Sequence, residues 1–147
     1  MTLPLHRKTT FNMKVAVWDT YVPSKNGDVL HFDIIVPIET GQAQVYQYGK
    51  TYLNNIQQPD AELNAAKCQM CHVEQPTDTM LHAIAQQGYY ILELGQIPAH
   101  LPTNPGRSDL ILHLRAYYPA YRFADFSQKT LEEIHQIHQN PHLEHQP

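Results

Sequence analysis

The sequence predicts an α+β fold: an N-terminal β-hairpin, a helix, a cysteine-containing loop, a second helix and a third strand, followed by a partly helical C-terminal extension. Two β-branched and aromatic runs, at 14–22 and 29–36, flank an Asn-Gly pair, a combination typical of a hairpin. Apolar residues at helical spacing follow in two further segments. A chain of 147 residues is long enough to bury one core and too short for two.

The hairpin register follows from its turn. With Asn26 and Gly27 as the two central residues of a type I′ turn, Lys25 faces Asp28 across the loop. Alternation then predicts one mostly apolar face, which consists of Val15, Val17, Asp19, Tyr21, Leu30, Phe32, Ile34 and Val36. The opposite, more polar face consists of Trp18, Thr20, His31, Asp33 and Ile35. We expect both early helices to pack on the apolar face.

The next segments predict two helices and a third strand. Val45, Tyr48, Tyr52 and Ile56 recur at helical spacing and predict a helix from 39–41 to about Gln57, although Gly49 lies in its middle. An irregular loop carries the chain to Pro76. The second helix has Thr77 as N-cap, Gly88 at its C-terminus and an apolar stripe formed by Met80, Leu81, Ile84 and Ala85. Residues 89–94 predict a buried strand that joins the hairpin in one sheet.

The composition changes at Gly95, where three prolines within 98–105 predict a linker. Ser108 is the expected cap of a helix at 109–118, although the alternation of leucines at 110, 112 and 114 also fits a strand. Thr130 and Glu133 form a capping-box pattern, which predicts a helix over about 128–139. The predicted organisation is therefore a disordered leader at 1–12, an α+β domain at 13–94, and an extension at 95–147 with a mobile tail from about 141.

Charge and hydropathy exclude several classes of function. A net charge of −4 without a basic cluster gives no field for a nucleic-acid backbone. No segment approaches the roughly 20 apolar residues of a membrane-spanning helix, and the first residues lack the apolar core of a signal peptide. We therefore expect a soluble cytoplasmic protein with reduced cysteines, no nucleic-acid or membrane partner, and an oligomeric state open to homo-oligomers.

Several ordered motifs together resemble a known family. They are MKVAVWDTYV at 13–22, HFDIIVP at 31–37, the Cys68-x-x-Cys71-His72 motif and GYYI at 88–91. The sequence is identified by them as similar to a bacterial family catalogued as a domain of unknown function, number two thousand and twenty-four in its series. The resemblance covers 13–94 and implies a compact α+β domain beginning near Met13. It implies no activity, and the segment from Gly95 onward lies outside it.

Cys68, Cys71 and His72 form the sharpest chemical motif. Two thiolates separated by two residues can bind one zinc ion, and the adjacent imidazole supplies a third ligand. A fourth ligand would have to come from elsewhere, with His31 as one candidate. The same pattern also fits c-type haem attachment, which needs export, and thiol redox chemistry, which needs an activated thiolate. Two reduced, partly buried thiols without a function are the remaining interpretation.

Other polar residues are weaker candidates. Asp19 on the predicted apolar face needs a hydrogen-bond partner and is either a general base or a structural group. His31 and Asp33 share a face and form either an acid-base pair or a solvated edge. The tail histidines at 135, 138, 142 and 145 either chelate a metal weakly or lie in solvent. The predicted function is a non-enzymatic binding or regulatory domain, and the alternative is a metal- or thiol-dependent enzyme centred on Cys68, Cys71 and His72, with zinc as its cofactor.

Overall fold

A computed structural model of the protein describes residues 13–58 and 61–142. Its elements in these residues are β1 (Val15–Pro23), β2 (Val29–Pro37), α1 (Gln42–Asn55), β3 (Cys68–Glu74), α2 (Asp78–Gln87), β4 (Tyr90–Ile97), α3 (Arg107–Tyr117), a short 3₁₀ helix (Pro119–Tyr121) and α4 (Leu131–Gln139). The predicted α+β fold is confirmed. The predicted leader and the last five residues of the predicted mobile tail lie outside the described residues.

The four described strands form one antiparallel sheet in the order β3-β1-β2-β4. The predicted addition of the third strand to the hairpin is confirmed, because β4 pairs with β2. Two local predictions are wrong. The cysteine segment is not a loop but the edge strand β3, and β4 is not buried, since Leu92 and Leu94 on this other edge strand are partly exposed.

The predicted hairpin register is wrong by one residue. Ser24 and Asp28 close a three-residue loop, with Ser24 N–H donating to the Asp28 carbonyl and Gly27 N–H donating to the Ser24 carbonyl. Only Gly27 in this loop has a positive φ, of 90°, whereas a type I′ turn needs positive φ at both central residues. A type I turn followed by a left-handed glycine therefore replaces the predicted turn, and the slip reverses which β2 side chains share a face with Asp19.

The prediction that both early helices pack on one face is also wrong, as a consequence of this register. Helix α1 packs on the face that carries Phe32 and Ile34, and Cys68 lies in the same core. Helix α2 packs on the opposite face against Val17 and Ile35. Helix α3 covers the hairpin end of that second face, where Ala116 meets β1 and β2. The centre of the second face, between α2 and α3, is left less covered.

The local helix predictions are largely confirmed. Thr77 caps α2 by accepting a hydrogen bond from the Met80 N–H, and Gly88 ends that helix at a φ of 96°. Gly49 allows α1 to approach the sheet closely, because a Cβ there would lie 2.8 Å from Ile34 Cδ1. The helical interpretation of the segment after the linker is confirmed as α3, whose N-cap is Gly106 rather than Ser108.

The C-terminal extension packs against the sheet. The predicted capping box of α4 is present, with Thr130 and Glu133 bonded reciprocally. The Tyr117 hydroxyl donates to the Ile97 carbonyl at 2.6 Å, which fastens α3 to the end of β4. Among the described residues, no helix has the length and apolar character needed to cross a membrane.

Candidate functional site

Three polar side chains meet at the centre of the second sheet face. The carboxylate oxygens of Asp19 and Asp33 and a ring nitrogen of His31 all lie within 4.8 Å of one another. His31 Nε2 lies 2.8 Å from Asp19 Oδ1, and these two side chains are only 13% and 16% exposed. In the described part of the chain, no other three His, Cys, Asp or Glu side chains come this close.

The observed pairing of β1 with β2 brings these three side chains together. Asp19 on β1 stands directly opposite Asp33 on β2, and His31 lies two residues before Asp33 on the same face. The ring of His31 stacks on Tyr21 with centroids 4.3 Å apart and planes at 9°. Both strands lie in the middle of the sheet, so the backbone that carries the three ligand atoms is rigid.

The two carboxyl groups have opposite pKa shifts. Burial raises the pKa of Asp33 to about 7, and the negative charge of Asp19 contributes to that rise. Burial also acts to raise the pKa of Asp19, but the hydrogen bond and positive charge of His31 outweigh it and leave the Asp19 pKa lowered. At neutral pH the cluster therefore holds an ionised Asp19 beside an Asp33 that is close to its midpoint, as in other paired carboxylates.

A cavity of about 190 Å³ adjoins Asp19. Gln69, Met70 and Cys71 on β3 form one side of it. The other side comes from the extension, which contributes Arg115, Arg122 and Phe123. The cluster thus lies at the border between the sheet and the extension.

Cys68, Cys71 and His72 do not converge. Cys68 is fully buried on the α1 side, where its sulfur accepts a hydrogen bond from Thr20 Oγ1 at 3.2 Å. Cys71 is exposed and occupies a bulge in β3, between Met70 opposite Trp18 and His72 opposite Val17. His72 Nε2 is 3.7 Å from Glu74 Oε1 on a half-exposed surface. His31, the proposed extra ligand, belongs instead to the cluster with Asp19.

The protonation of both thiols also disfavours their use as ligands or nucleophiles. Burial raises the pKa of Cys68 to about 11, with smaller opposing and reinforcing contributions from Thr20 and Asp19. Burial likewise raises the pKa of Cys71. Thiolate is the form that binds metal and attacks disulfides, so neither thiol is activated in this environment. Zinc binding by Cys68, Cys71 and His72 remains a prediction without a preformed ligand set.

The family model described as a domain of unknown function, DUF2024, matches residues 13–94, which is more than half of the chain. The protein belongs to the DUF2024 family. The match includes all of the strands β1 to β3 and ends inside β4, so it contains Asp19, His31 and Asp33 but not the arginines of the extension.

A solved structure supports this assignment. The chain is similar to protein NE1680 from Nitrosomonas europaea, determined by NMR, with 33% sequence identity and a TM-score of 0.50. The similarity covers 56% of this chain and 95% of that chain. No curated protein matches the chain. The similarity therefore takes in nearly the whole of NE1680, and the remainder of this chain extends beyond it.

The sequence contained a partial signal for the cluster. The alternation of β2 predicts that His31 and Asp33 share one face, but a two-residue turn at Asn26 and Gly27 puts Asp19 on the other face. A three-residue loop ending in Gly27 would have brought all three together. Nothing in the sequence indicated that Arg115 and Arg122, about 100 residues further along the chain, would face Asp19.

Proposed function

We propose that this DUF2024 protein is a small binding protein whose ligand is a divalent metal ion held by Asp19, His31 and Asp33. The main evidence for this proposal is that two carboxylates and one imidazole lie within 4.8 Å of one another on two rigid central strands. We keep a cytoplasmic location and a non-enzymatic role as predictions. A metal- or thiol-dependent enzyme centred on Cys68, Cys71 and His72 stays the alternative prediction.

The charges in the cluster favour a cation. Two carboxylates directly opposite each other on paired strands repel, and partial burial strengthens this repulsion. A single imidazole next to Asp19 offsets only part of the negative charge. A divalent ion bound by the three side chains takes the place of the Asp33 proton and of the hydrogen bond between His31 and Asp19. Its charge offsets the repulsion between the two carboxylates, which become its ligands.

The ligand types restrict the ion. Carboxylate oxygen together with imidazole nitrogen suits Zn²⁺ and other divalent first-row transition ions, Mn²⁺ included, whereas Ca²⁺ prefers oxygen ligands alone. Ligand atoms on one tetrahedral zinc ion are roughly 3.4 Å apart, so small side-chain rotations close the set. Three protein ligands leave at least one coordination position open, which is typical of zinc sites that bind a further molecule.

The experiment compares this site with the cysteine motif. Protein treated with EDTA and then dialysed is titrated with Zn²⁺ and with Mn²⁺ by isothermal calorimetry. We expect one equivalent to bind, with affinity at least tenfold weaker in Asp33→Asn and His31→Gln because each removes a ligand. Matched variants of the alternative site, His72→Gln and Cys71→Ser, should bind as tightly as the parent protein.

The opposite pattern would relocate the site. If His72→Gln and Cys71→Ser lose binding while Asp33→Asn retains it, the ion belongs to the cysteine motif and the alternative function gains support. Failure of the parent protein to bind either ion at micromolar concentration would refute metal binding altogether. Circular dichroism of each variant confirms that its fold is intact before affinities are compared.

A further inference from the structure

We infer that the cavity beside Asp19 binds the oxyanion group of a small molecule, a carboxylate or phosphate, with Arg115 as its anchor and the metal ion as its second contact. This inference rests on the proposed function, since Asp19 both lines this cavity and belongs to the proposed metal centre. It concerns a wall of the site that lies outside the DUF2024 match.

The size of the cavity limits the ligand. Its volume of about 190 Å³ is below the roughly 300–1,000 Å³ of pockets that enclose drug-sized molecules. The cavity therefore does not enclose a nucleotide or a large coenzyme. An organic acid of a few carbon atoms, or a small phosphorylated compound, does.

Of the two arginines on the cavity wall, Arg122 already uses most of its donors in hydrogen bonds to the protein backbone. Its guanidinium donates to the backbone carbonyls of Arg115, Ala66 and Ala116 at 2.9, 3.1 and 2.8 Å. Arg122 is 8% exposed, and its role is to hold the extension on the sheet. It supplies positive charge to the cavity but has few donors left for a ligand.

Arg115 makes fewer hydrogen bonds to the protein than Arg122 does. One terminal nitrogen donates to the Ala124 carbonyl at 3.1 Å, and its guanidinium lies over the Phe126 ring. Its Nε is buried and has no hydrogen-bond partner among the described residues. No described carboxylate forms an ion pair with it either. A cation in this state has both charge and a directed donor available for an anion.

A second unsatisfied polar group lies at the same place. The Tyr21 side chain is fully buried, and its hydroxyl makes no hydrogen bond of good geometry within the described part of the chain, although it lies close enough to Arg115 and Asp19 for weak hydrogen bonds to both. Burial raises the pKa of this hydroxyl, Asp19 raises it further and Arg115 lowers it, which places the group between two residues of the cavity wall. Weak hydrogen bonds of this kind leave both buried groups with donor capacity that a ligand can use.

A bound metal ion should strengthen the binding of an anion in this cavity. Asp19 lines the same cavity, and its carboxylate repels an anion in the metal-free protein. A divalent ion on Asp19, His31 and Asp33 reverses the sign of that wall. Metal and anion therefore bind with positive coupling, and each must raise the affinity of the other by the same factor.

The test uses full-length zinc-loaded protein and acetate or inorganic phosphate as the probe. The ¹H–¹⁵N resonance of Arg115 Nε should shift saturably as either probe is added. The same titration without zinc should give at least tenfold weaker binding. Zinc affinity measured by calorimetry should rise in the presence of the probe, a readout that requires no variant.

Variants separate the anchor from general charge. Arg115→Gln should weaken probe binding at least tenfold, and Arg115→Lys should weaken it less, because lysine keeps the charge but not the forked donors. Lys25→Gln, which removes an exposed cation on the hairpin loop, should leave it unchanged. Tyr21→Phe should weaken binding severalfold while zinc affinity stays the same.

The outcomes distinguish the two proposals. Zinc binding without any response of Arg115 to either probe would overturn the anion site and leave the metal site standing. Unchanged probe binding in Arg115→Gln would overturn Arg115 as the anchor, with the same effect. Water alone would then complete the two buried groups. Absence of zinc binding would refute both the metal site and the anion site that depends on it.

Discussion

Asp33 is the residue of the cluster whose ionisation is least favourable in the folded protein. Its carboxyl group faces Asp19 across the hairpin, and its pKa is raised to about 7 by burial and by that neighbour. Perturbation of this kind, in a group beside the cavity-lining carboxylate of Asp19, is typical of functional sites. The fold tolerates it because the surrounding strand residues, such as Val17, Tyr21 and Ile35, are buried and well packed.

We predict that Asp33→Asn stabilises the metal-free protein at alkaline pH. The folded-state pKa of Asp33 lies above its unfolded value of 3.8, so the native state binds the proton more tightly and the stability of the parent protein rises as pH falls from above 7 towards 4. A shift to about 7 corresponds to roughly 4 kcal/mol, which solvent screening at this partly exposed site reduces to about 1–2 kcal/mol.

Urea unfolding in EDTA at pH 8 and at pH 5 measures this effect. The variant should be more stable than the parent by about 1–2 kcal/mol at pH 8, with a smaller difference at pH 5. Glu39→Gln, which neutralises an exposed carboxylate near β2, is the control and should show little change. A variant less stable than the parent at pH 8 would indicate that Asp33 is ionised and favourably paired in the native state.

At the scale of elements, capping and spacing patterns predicted the helices well because they depend on local interactions. The Thr77 cap, the Gly88 terminus and the Thr130 capping box involve residues within a few positions of one another. The sequence therefore contains nearly all of the physics that determines where these helices begin and end.

The strands were harder to predict for two physical reasons. A one-residue difference in the loop at Gly27 inverts every side chain of β2 relative to β1, although both loops use the same Asn-Gly pair. The segment 68–74 lacks clear alternation because it is an edge strand with a bulge at Cys71. Both errors concern pairing between distant residues, and together they concealed the cluster of Asp19, His31 and Asp33.

A histidine pair joins the two helices of the extension. His138 on α4 lies 2.9 Å from His113 Nδ1 on α3, and His113 Nε2 lies 2.8 Å from the Ala99 carbonyl. The geometry is satisfied when each neutral ring carries its proton on Nε2, so that His138 donates to His113 and His113 donates to the carbonyl. Burial lowers the pKa of His138, and the nearby His113 and His135 lower it further.

We predict that this contact makes the extension sensitive to acid. The folded-state pKa of His138 lies below its unfolded value of 6.5, so its contribution to stability is present at neutral pH and is lost as pH falls below about 6.5. His138→Gln keeps a donor for His113 but does not titrate. Thermal melts at pH 7.5 and 5.5 should show a smaller acid-induced decrease in the variant than in the parent protein.

The exposed His82 on α2 supplies the matched control. His82→Gln should keep the acid sensitivity of the parent protein, because it leaves the α3 and α4 contact intact. An equal decrease in melting temperature for His138→Gln and the parent would assign the acid sensitivity to other groups.

At the scale of the whole molecule, the extension covers part of the DUF2024 sheet and completes its cavity. Tyr21 and Val29 on the hairpin are buried together with Ala116 of α3, so the sheet depends on the extension for part of its core. The ligands of the proposed metal centre come from within the family match, and the arginines beside them come from outside it. This division suggests that the domain supplies the metal site and that the extension determines which molecule reaches it.

Arg122 links these two parts, and the last prediction concerns its removal. Its guanidinium bonds the carbonyls of Arg115 and Ala116 at the end of α3 to that of Ala66 before β3. Arg122→Ala leaves these acceptors without their donor and should lower the free energy of unfolding by about 2–4 kcal/mol. Amide hydrogen exchange should accelerate most in α3, while metal affinity is retained because Asp19, His31 and Asp33 stay in place on β1 and β2.

Arg107→Ala is the matched control, since Arg107 bonds only carbonyls within the extension, those of Phe126 and Lys129. It should therefore accelerate exchange around α4 without affecting residues near Ala66. If Arg122→Ala stays within about 0.5 kcal/mol of the parent protein, as a typical surface substitution does, the carbonyl contacts of Arg122 do not hold the extension on the sheet, and the Tyr117 hydrogen bond and the apolar contacts of Ala116 hold it instead.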